Sequence, residues 1–156
     1  MKIFMKVGVV HSYGSRRPQW VSTGNEVIME VSANDLRGYD LSGREMQWAN
    51  LEGHDLSYAD LSNSNLSGSD MRRANLTGTI LKGTMLYGVD LRNAILERAD
   101  LTGAFVSGSR LESASLLGAG VTGAKARQIR YDEATIWPNG SMPDGWTVSD
   151  VPLLRP

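Results

Sequence analysis

From Leu36 to Val121 every fifth residue is aliphatic, and the spacing holds for eighteen successive positions with no gap or insertion. The series is Leu36, Leu41, Met46, Leu51, Leu56, Leu61, Leu66, Met71, Leu76, Leu81, Leu86, Leu91, Leu96, Leu101, Val106, Leu111, Leu116 and Val121. A period of five fits neither a strand at 2.0 nor a helix at 3.6. It requires a short extended piece, a turn, and another short extended piece. Two positions before each aliphatic residue stands Ala, Ser, Thr or Val in fourteen of the eighteen units. Alternate side chains of an extended piece share one side, so the small and the aliphatic residue both point inward. The residue between them, Asp, Asn or Glu in eleven units, points outward. Gly falls two after the aliphatic residue in eleven units. There it supplies the backbone freedom of a tight corner, while short polar side chains beside it bond local backbone groups.

The repeat also disposes of a motif. "LLGAGVTGAKA" contains G-x-G-x-x-G at Gly118, Gly120 and Gly123, the pattern of a phosphate-cradling dinucleotide loop. Gly118 and Gly123 are the corner glycines of two successive units, and Gly120 replaces the usual Asp or Asn. The motif is a by-product of the period.

Composition narrows the function classes. Seventeen acids against sixteen bases give a formal charge of −1, with neither a basic nucleic-acid footprint nor an acidic tail. With no cysteine there are no disulfides, thiolate metal sites or cysteine nucleophiles, and the redox compartment stays open. The start, "MKIFMKVGVVHSYG", is interrupted by Lys6 and Gly8 and lacks a small-residue cleavage site, so no signal peptide is expected. No apolar run reaches the ~20 residues of a membrane helix, and no membrane partner is expected.

The stretches "ANLEGHDLSYADLSNSNLSGSDMRRANLTGTILKG" and "ADLTGAFVSGSRLESASLLGAG" resemble the A-(D/N)-L-x-x unit of the pentapeptide-repeat family. The resemblance covers about residues 34–125. It implies an all-β fold, a right-handed quadrilateral β-helix with four units per coil, hence about four and a half coils here. Leu36, Leu56, Leu76, Leu96 and Leu116 then form one inward ladder, since positions 20 apart lie above one another. A filled interior leaves no room for a catalytic pocket.

Three regions follow: 1–33, the repeat at 34–126, and 127–156. The first reads as β, with "KIFMKVGVV" and "NEVIMEV" as strands, "QWVS" between them and "STGN" as a turn; His11 to Pro18 is a polar, basic loop. It serves as a cap on the open coil edge or as an attachment arm. Asn34, Tyr39, Arg44 and His54 are bulky at the small inward position, which suits a coil closing against a cap. After Ala126 the phase is lost. A short helix is predicted around Asp132–Trp137, stopped by Pro138, and Tyr131, Ile136, Trp137 and Trp146 are expected to seal the last coil. "SDVPLLRP" is a loose tail or a docking peptide.

No catalytic residue, metal site or cofactor site is expected. His11 and His54 lie 43 positions apart with no carboxylates at ligand spacing, and His54 reads as a satisfied inward residue. The aspartates follow the period and read as a solvated face. The departures are outward positions that have become apolar: Ile80, Met85, Ile95 and Phe105 replace Asp or Asn, and Tyr87 and Leu117 replace small polar residues. Met85 and Phe105, 20 apart, should stack beside Tyr87, above Asn65 and Glu45 and near Trp48. Ile80, Met85, Tyr87, Ile95, Phe105 and Trp48 form the candidate interface, a surface for another protein or subunit or a strip covered by the chain's own termini.

The expected function is therefore a non-catalytic structural or protein-binding rod without a small-molecule substrate. A specific form is a subunit docking on a larger assembly such as a viral particle; cytoplasmic and particle-associated locations both fit. The family resemblance implies an alternative, a DNA-mimicking protector of DNA gyrase. That activity needs a strongly acidic rod, and residues 34–125 hold eleven acids and nine bases.

Overall fold

The computed structural model of the 156-residue chain describes residues 2–6, 21–23, 26–30 and 35–149. Near the N-terminus, β1 (Lys2–Lys6), β2 (Val21–Thr23) and β3 (Glu26–Glu30) form a three-stranded antiparallel sheet in the order β1-β3-β2. Phe4 of β1 and Val21 of β2 both pair with Ile28 of the central strand. β1 and β3 fall within "KIFMKVGVV" and "NEVIMEV", whereas β2 starts in "QWVS" and takes in Ser22 and Thr23 of "STGN", the stretch expected to be a turn. The basic loop His11 to Pro18 lies outside the described residues.

From Asp35 onward each five-residue unit contributes one parallel bridge to the residue 20 positions later. Twenty residues therefore climb one layer, and four units make one circuit. The bridges define four faces: Asp35, Asp55, Asn75, Ile95 and Ser115 on the first, then Asp40, Asp60, Ile80, Asp100 and Gly120. Glu45, Asn65, Met85, Phe105 and Lys125 make the third, and Asn50, Asp70, Asp90, Arg110 and Arg130 the fourth. Every aliphatic residue of the period is buried except Val121, which is half-buried near the C-terminal end.

The repeated unit settles its own hydrogen bonding. Across the interior of the rod, the aliphatic N–H donates to the next layer, as in Leu76 to the Ile95 carbonyl at 2.6 Å. The corner N–H donates upward as well, and the outward residue's N–H donates to the layer below. The small residue's N–H closes the turn onto the aliphatic carbonyl, as in Ala59 to Leu56 at 3.0 Å. One N–H is left, on the residue after the aliphatic one. All ten Asp and Asn residues at the outward position accept it, for example Ser62 N–H to Asp60 Oδ1 at 2.9 Å and Thr102 N–H to Asp100 Oδ1 at 3.0 Å. The Asp/Asn preference is thus an Asx acceptor for the fifth donor. Inward hydroxyls add ties between layers: Thr79 donates to the Leu56 carbonyl and Thr84 to the Leu61 carbonyl, both at 2.8 Å.

The corner residue has positive φ in all eighteen units, eleven times as glycine and seven times as Trp48, Tyr58, Asn63, Arg73, Asn93, Arg98 or Ser113. A hydrogen-bonded four-residue turn with a left-handed third residue has the type II signature. Arg73 (φ 58°) gains little there, since its guanidinium reaches Glu52 only at 3.8 Å. Arg73→Gly relieves ~1–2 kcal/mol of left-handed strain and gives back ~0.4–1 kcal/mol in unfolded-chain entropy. Urea melts should show a stability gain of up to ~1 kcal/mol; a loss would mean that the Glu52 pair outweighs the strain.

The ladder continues beyond the aliphatic period. Phe105 bridges Lys125 and Arg110 bridges Arg130 in unchanged register; Ser115 then bridges Ile136, one residue late. The helix expected around Asp132–Trp137 does not form. The chain makes a turn at Glu133–Ala134 and another five-residue unit, Thr135 to Asn139, with Trp137 buried in the aliphatic position. The Asp132 carboxylate accepts the Ala134 N–H at 3.1 Å, and this Asx bond favours a turn over a helical start.

Candidate protein-binding surface

The four faces separate the apolar outward residues. Ile95 lies on the first face, Ile80 on the second, and Met85 with Phe105 on the third. The six candidate interface residues are therefore not one patch. Tyr87, one step from the third face, joins it: its ring lies 5.8 Å from that of Phe105, at 33°. Lys125 stands one layer beyond, its ammonium 5.2 Å from the Phe105 ring centre. Trp48 is at the corner beside this face, 81% exposed, and lies across Gly68 in the next layer, where a Cβ would collide with its ring. Ile80, Ile95 and Leu117 are exposed singly.

The fourth face is polar and internally neutralised. Arg72 pairs with Asp70 at 2.6 Å and with Glu52 one layer below at 3.0 Å, and Arg92 pairs with Asp90 at 2.6 Å. Arg110 and Arg130 both reach Glu112, at 3.2 and 3.6 Å. Burial alone would push the Asp90 carboxyl up, but its bonds from Arg92 and the nearby Arg110 charge hold it below the usual value. Each pair is partly exposed and individually worth little; together they leave few uncompensated carboxylates on this face.

Leu36, Leu56, Leu76, Leu96 and Leu116 are at most 1% exposed and share one inner column. Of the residues expected at the C-terminal end, Tyr131, Trp137 and Trp146 form an edge-to-face cluster with ring centres 5.2 and 6.1 Å apart. Ile136 does not join them; its bridge to Ser115 sets it on the outer ladder, exposed. His54 is inward and buried; its Nδ1 lies 3.0 Å from the Glu52 carbonyl, and its Nε2 has no hydrogen-bond partner among the described residues. Among the described residues no three His, Asp or Glu side chains gather as a metal site would need. Nor is any described helix long and apolar enough to cross a membrane. Lys125 and Arg127 lie beside the Phe105–Tyr87 pair, and a search for outward positions that have become apolar passes over both. Counting on by 20 from Phe105 would have placed them.

A parallel four-sided coil with a left-handed corner every five residues and a filled interior defines a β-solenoid of pentapeptide units. The chain belongs to the pentapeptide-repeat family, whose model matches residues 55–93 and 94–130 with eight copies. Its members fold as right-handed quadrilateral β-helices and are generally non-enzymatic scaffolds. The pentapeptide-repeat protein Rfr23 from the cyanobacterium Cyanothece 51142 is 27% identical, over 67% of this chain and 91% of its own, with a TM-score of 0.38. The protein alr5209 from Nostoc PCC 7120 is 33% identical over 74% of this chain and 84% of its own, with a TM-score of 0.36. HetL from Nostoc sp. strain PCC 7120, a protein involved in heterocyst differentiation regulation, is 36% identical over 63% of this chain, which spans half of HetL; the TM-score is 0.36. Comparison with curated proteins gives no match.

Proposed function

We propose that the protein is a non-catalytic binding rod that presents its third face to another protein, as a subunit docking on a larger assembly such as a viral particle. One observation carries the reading. Met85 and Phe105 replace the Asx acceptor in adjacent layers, and Tyr87 packs on Phe105. Each replacement forfeits a hydrogen bond worth ~0.5–1.5 kcal/mol and leaves apolar surface outside. A stacked aromatic set of that kind is what a protein interface uses as an anchor. In this reading residues 1–33 are the attachment arm or the cap, and the Tyr131–Trp137–Trp146 cluster seals the far end.

Gyrase protection fits less well. A DNA mimic needs uncompensated acids, and on the fourth face Arg72, Arg92, Arg110 and Arg130 neutralise them. Unchanged gyrase supercoiling with excess protein is the expected result.

Phe105→Asp tests the main reading. The new carboxylate can accept the Ser107 N–H, as Asp does elsewhere in the rod, so the melting curve should stay within ~1 kcal/mol of wild type. Co-purification with the native assembly should weaken by more than ~1 kcal/mol, the cost of truncating an interface anchor. Unaltered incorporation by a folded variant would remove the third face from the reading.

A further inference from the structure

A cleft of about 510 Å³ opens at the C-terminal end of the third face, lined by Tyr87, Phe105, Lys125, Arg127, Asp144 and Gly145 among others. That volume lies within the usual range of ligand sites, ~300–1,000 Å³. One wall is the Tyr87–Phe105 pair; a second carries the exposed Lys125 and Arg127 side chains. Seven other cations of the rod, Arg37, Arg72, Arg73, Lys82, Arg92, Arg110 and Arg130, each have a carboxylate within 4 Å, and Arg98, which has none among the described residues, stands alone at a corner rather than beside a second cation. Lys125 and Arg127 have none among the described residues, and Asp144 is the one acid lining the cleft. The cleft is thus amphipathic, with an aromatic wall and two cations that no carboxylate of the described residues pairs, Lys125 resting against the Phe105 ring.

Resting on the protein-binding reading above, we infer that this cleft docks an acidic segment of a partner protein, an apolar side chain on Tyr87 and Phe105 with flanking carboxylates on Lys125 and Arg127. Two cations without a carboxylate among the described residues suit a peptide carboxylate pair, whereas a nucleic-acid duplex needs a basic stripe along its phosphates. On the neighbouring fourth face Arg110 and Arg130 lie at this level, but both are held by Glu112, so the two cations of the cleft do not extend into an uncompensated stripe.

The test is selection of a random dodecapeptide display library on the full chain. The expected winners combine Asp or Glu with an adjacent aromatic or aliphatic residue. Measured by fluorescence anisotropy, the best synthetic winner should bind at least ~10-fold more weakly to a Lys125→Glu/Arg127→Glu variant, on which selection should turn to basic peptides. Both side chains are exposed, so folding should survive; Lys125→Gln/Arg127→Gln, with a smaller loss, covers the case where it does not. No enrichment, or enrichment indifferent to the charge reversal, overturns the proposal. So does a chain ending at Ser149 that binds the same peptide ~10-fold more tightly, since residues 150–156 would then be the natural occupant. Dimerisation abolished by the charge reversal overturns it too, in favour of a second copy. Loss of the native partner on Phe105→Asp without any effect of the charge reversal would sink the cleft while sparing the binding rod.

Discussion

Leu76→Asp should leave the chain without a cooperative unfolding transition. Leu76 is 1% exposed, in an inner column between Leu56 and Leu96, with folded layers on both sides. The substitution forfeits ~1.5–3 kcal/mol of apolar burial and places a carboxylate where no cation can reach it, a cost of several kcal/mol more. Against a typical total stability of ~5–15 kcal/mol, that is most or all of it. A solenoid adds a second consideration, because each layer touches only its neighbours and could in principle melt alone. Here the break falls between short stacks of layers, each too small to bury a self-sufficient core. Circular dichroism melts decide the matter, with Leu76→Met as the volume-conserving control expected to cost less than ~1.5 kcal/mol. A Leu76→Asp protein melting cooperatively within a few degrees of wild type would refute the inward assignment.

How much of this was legible in the sequence follows from what the period encodes. Leu at every fifth place fixes which side chains point in, and Gly two places later fixes the left-handed corner. Both signals name a side chain with one physical job, so they survive in the letters. Trp48, Tyr58, Arg73 and Arg98 sit at the same corner with positive φ, although nothing in their chemistry favours it. Once flanking layers hold the backbone, the letter at a corner is free to change. The same freedom hid the end of the rod. Ala126 and Trp137 occupy aliphatic places as a very small and a very large residue, so the letters lose the pattern while the bridges go on. Arg127 lies beyond that early stop, and Lys125, inside it, is a charged outward residue with nothing in the period to set it apart. The apolar outward residues were visible at once, but a list of six gives no faces. Only division into columns of 20 shows that Ile80 and Ile95 are separate from Met85 and Phe105.

Asp132→Ala should loosen the last unit of the rod while the preceding layers stay folded. Asp132 sits in the segment where the ladder gains one residue, between Arg130 and Ile136. Its carboxylate accepts the Ser113 N–H at 2.7 Å, the Ser113 hydroxyl at 2.8 Å and the Ala134 N–H at 3.1 Å. The Thr135 hydroxyl lies 3.0 Å away and 2.9 Å from the Leu111 carbonyl below. One side chain thus ties the extra residue to both layers. Removing it orphans the part-buried Ser113 N–H, while the exposed Ala134 N–H can turn to water, so a loss of ~1–3 kcal/mol is expected. Because Trp137 and Trp146 are buried just beyond, the local opening should appear as a red shift in tryptophan emission. Acid should reproduce it. Burial alone would raise the Asp132 carboxyl, but the bonds from Ser113, Thr135 and Ala134 prevail and hold it below the usual aspartate range. A depressed folded value means that the unfolded chain takes up the proton first. The contribution is complete above the unfolded value of about 4 and is lost as pH falls through the folded one. Wild type should therefore show the emission shift only below about pH 4, whereas Asp132→Ala should show it already at pH 7. Emission and melting of the variant identical to wild type at pH 7 would mean that the aromatic cluster holds the end by itself.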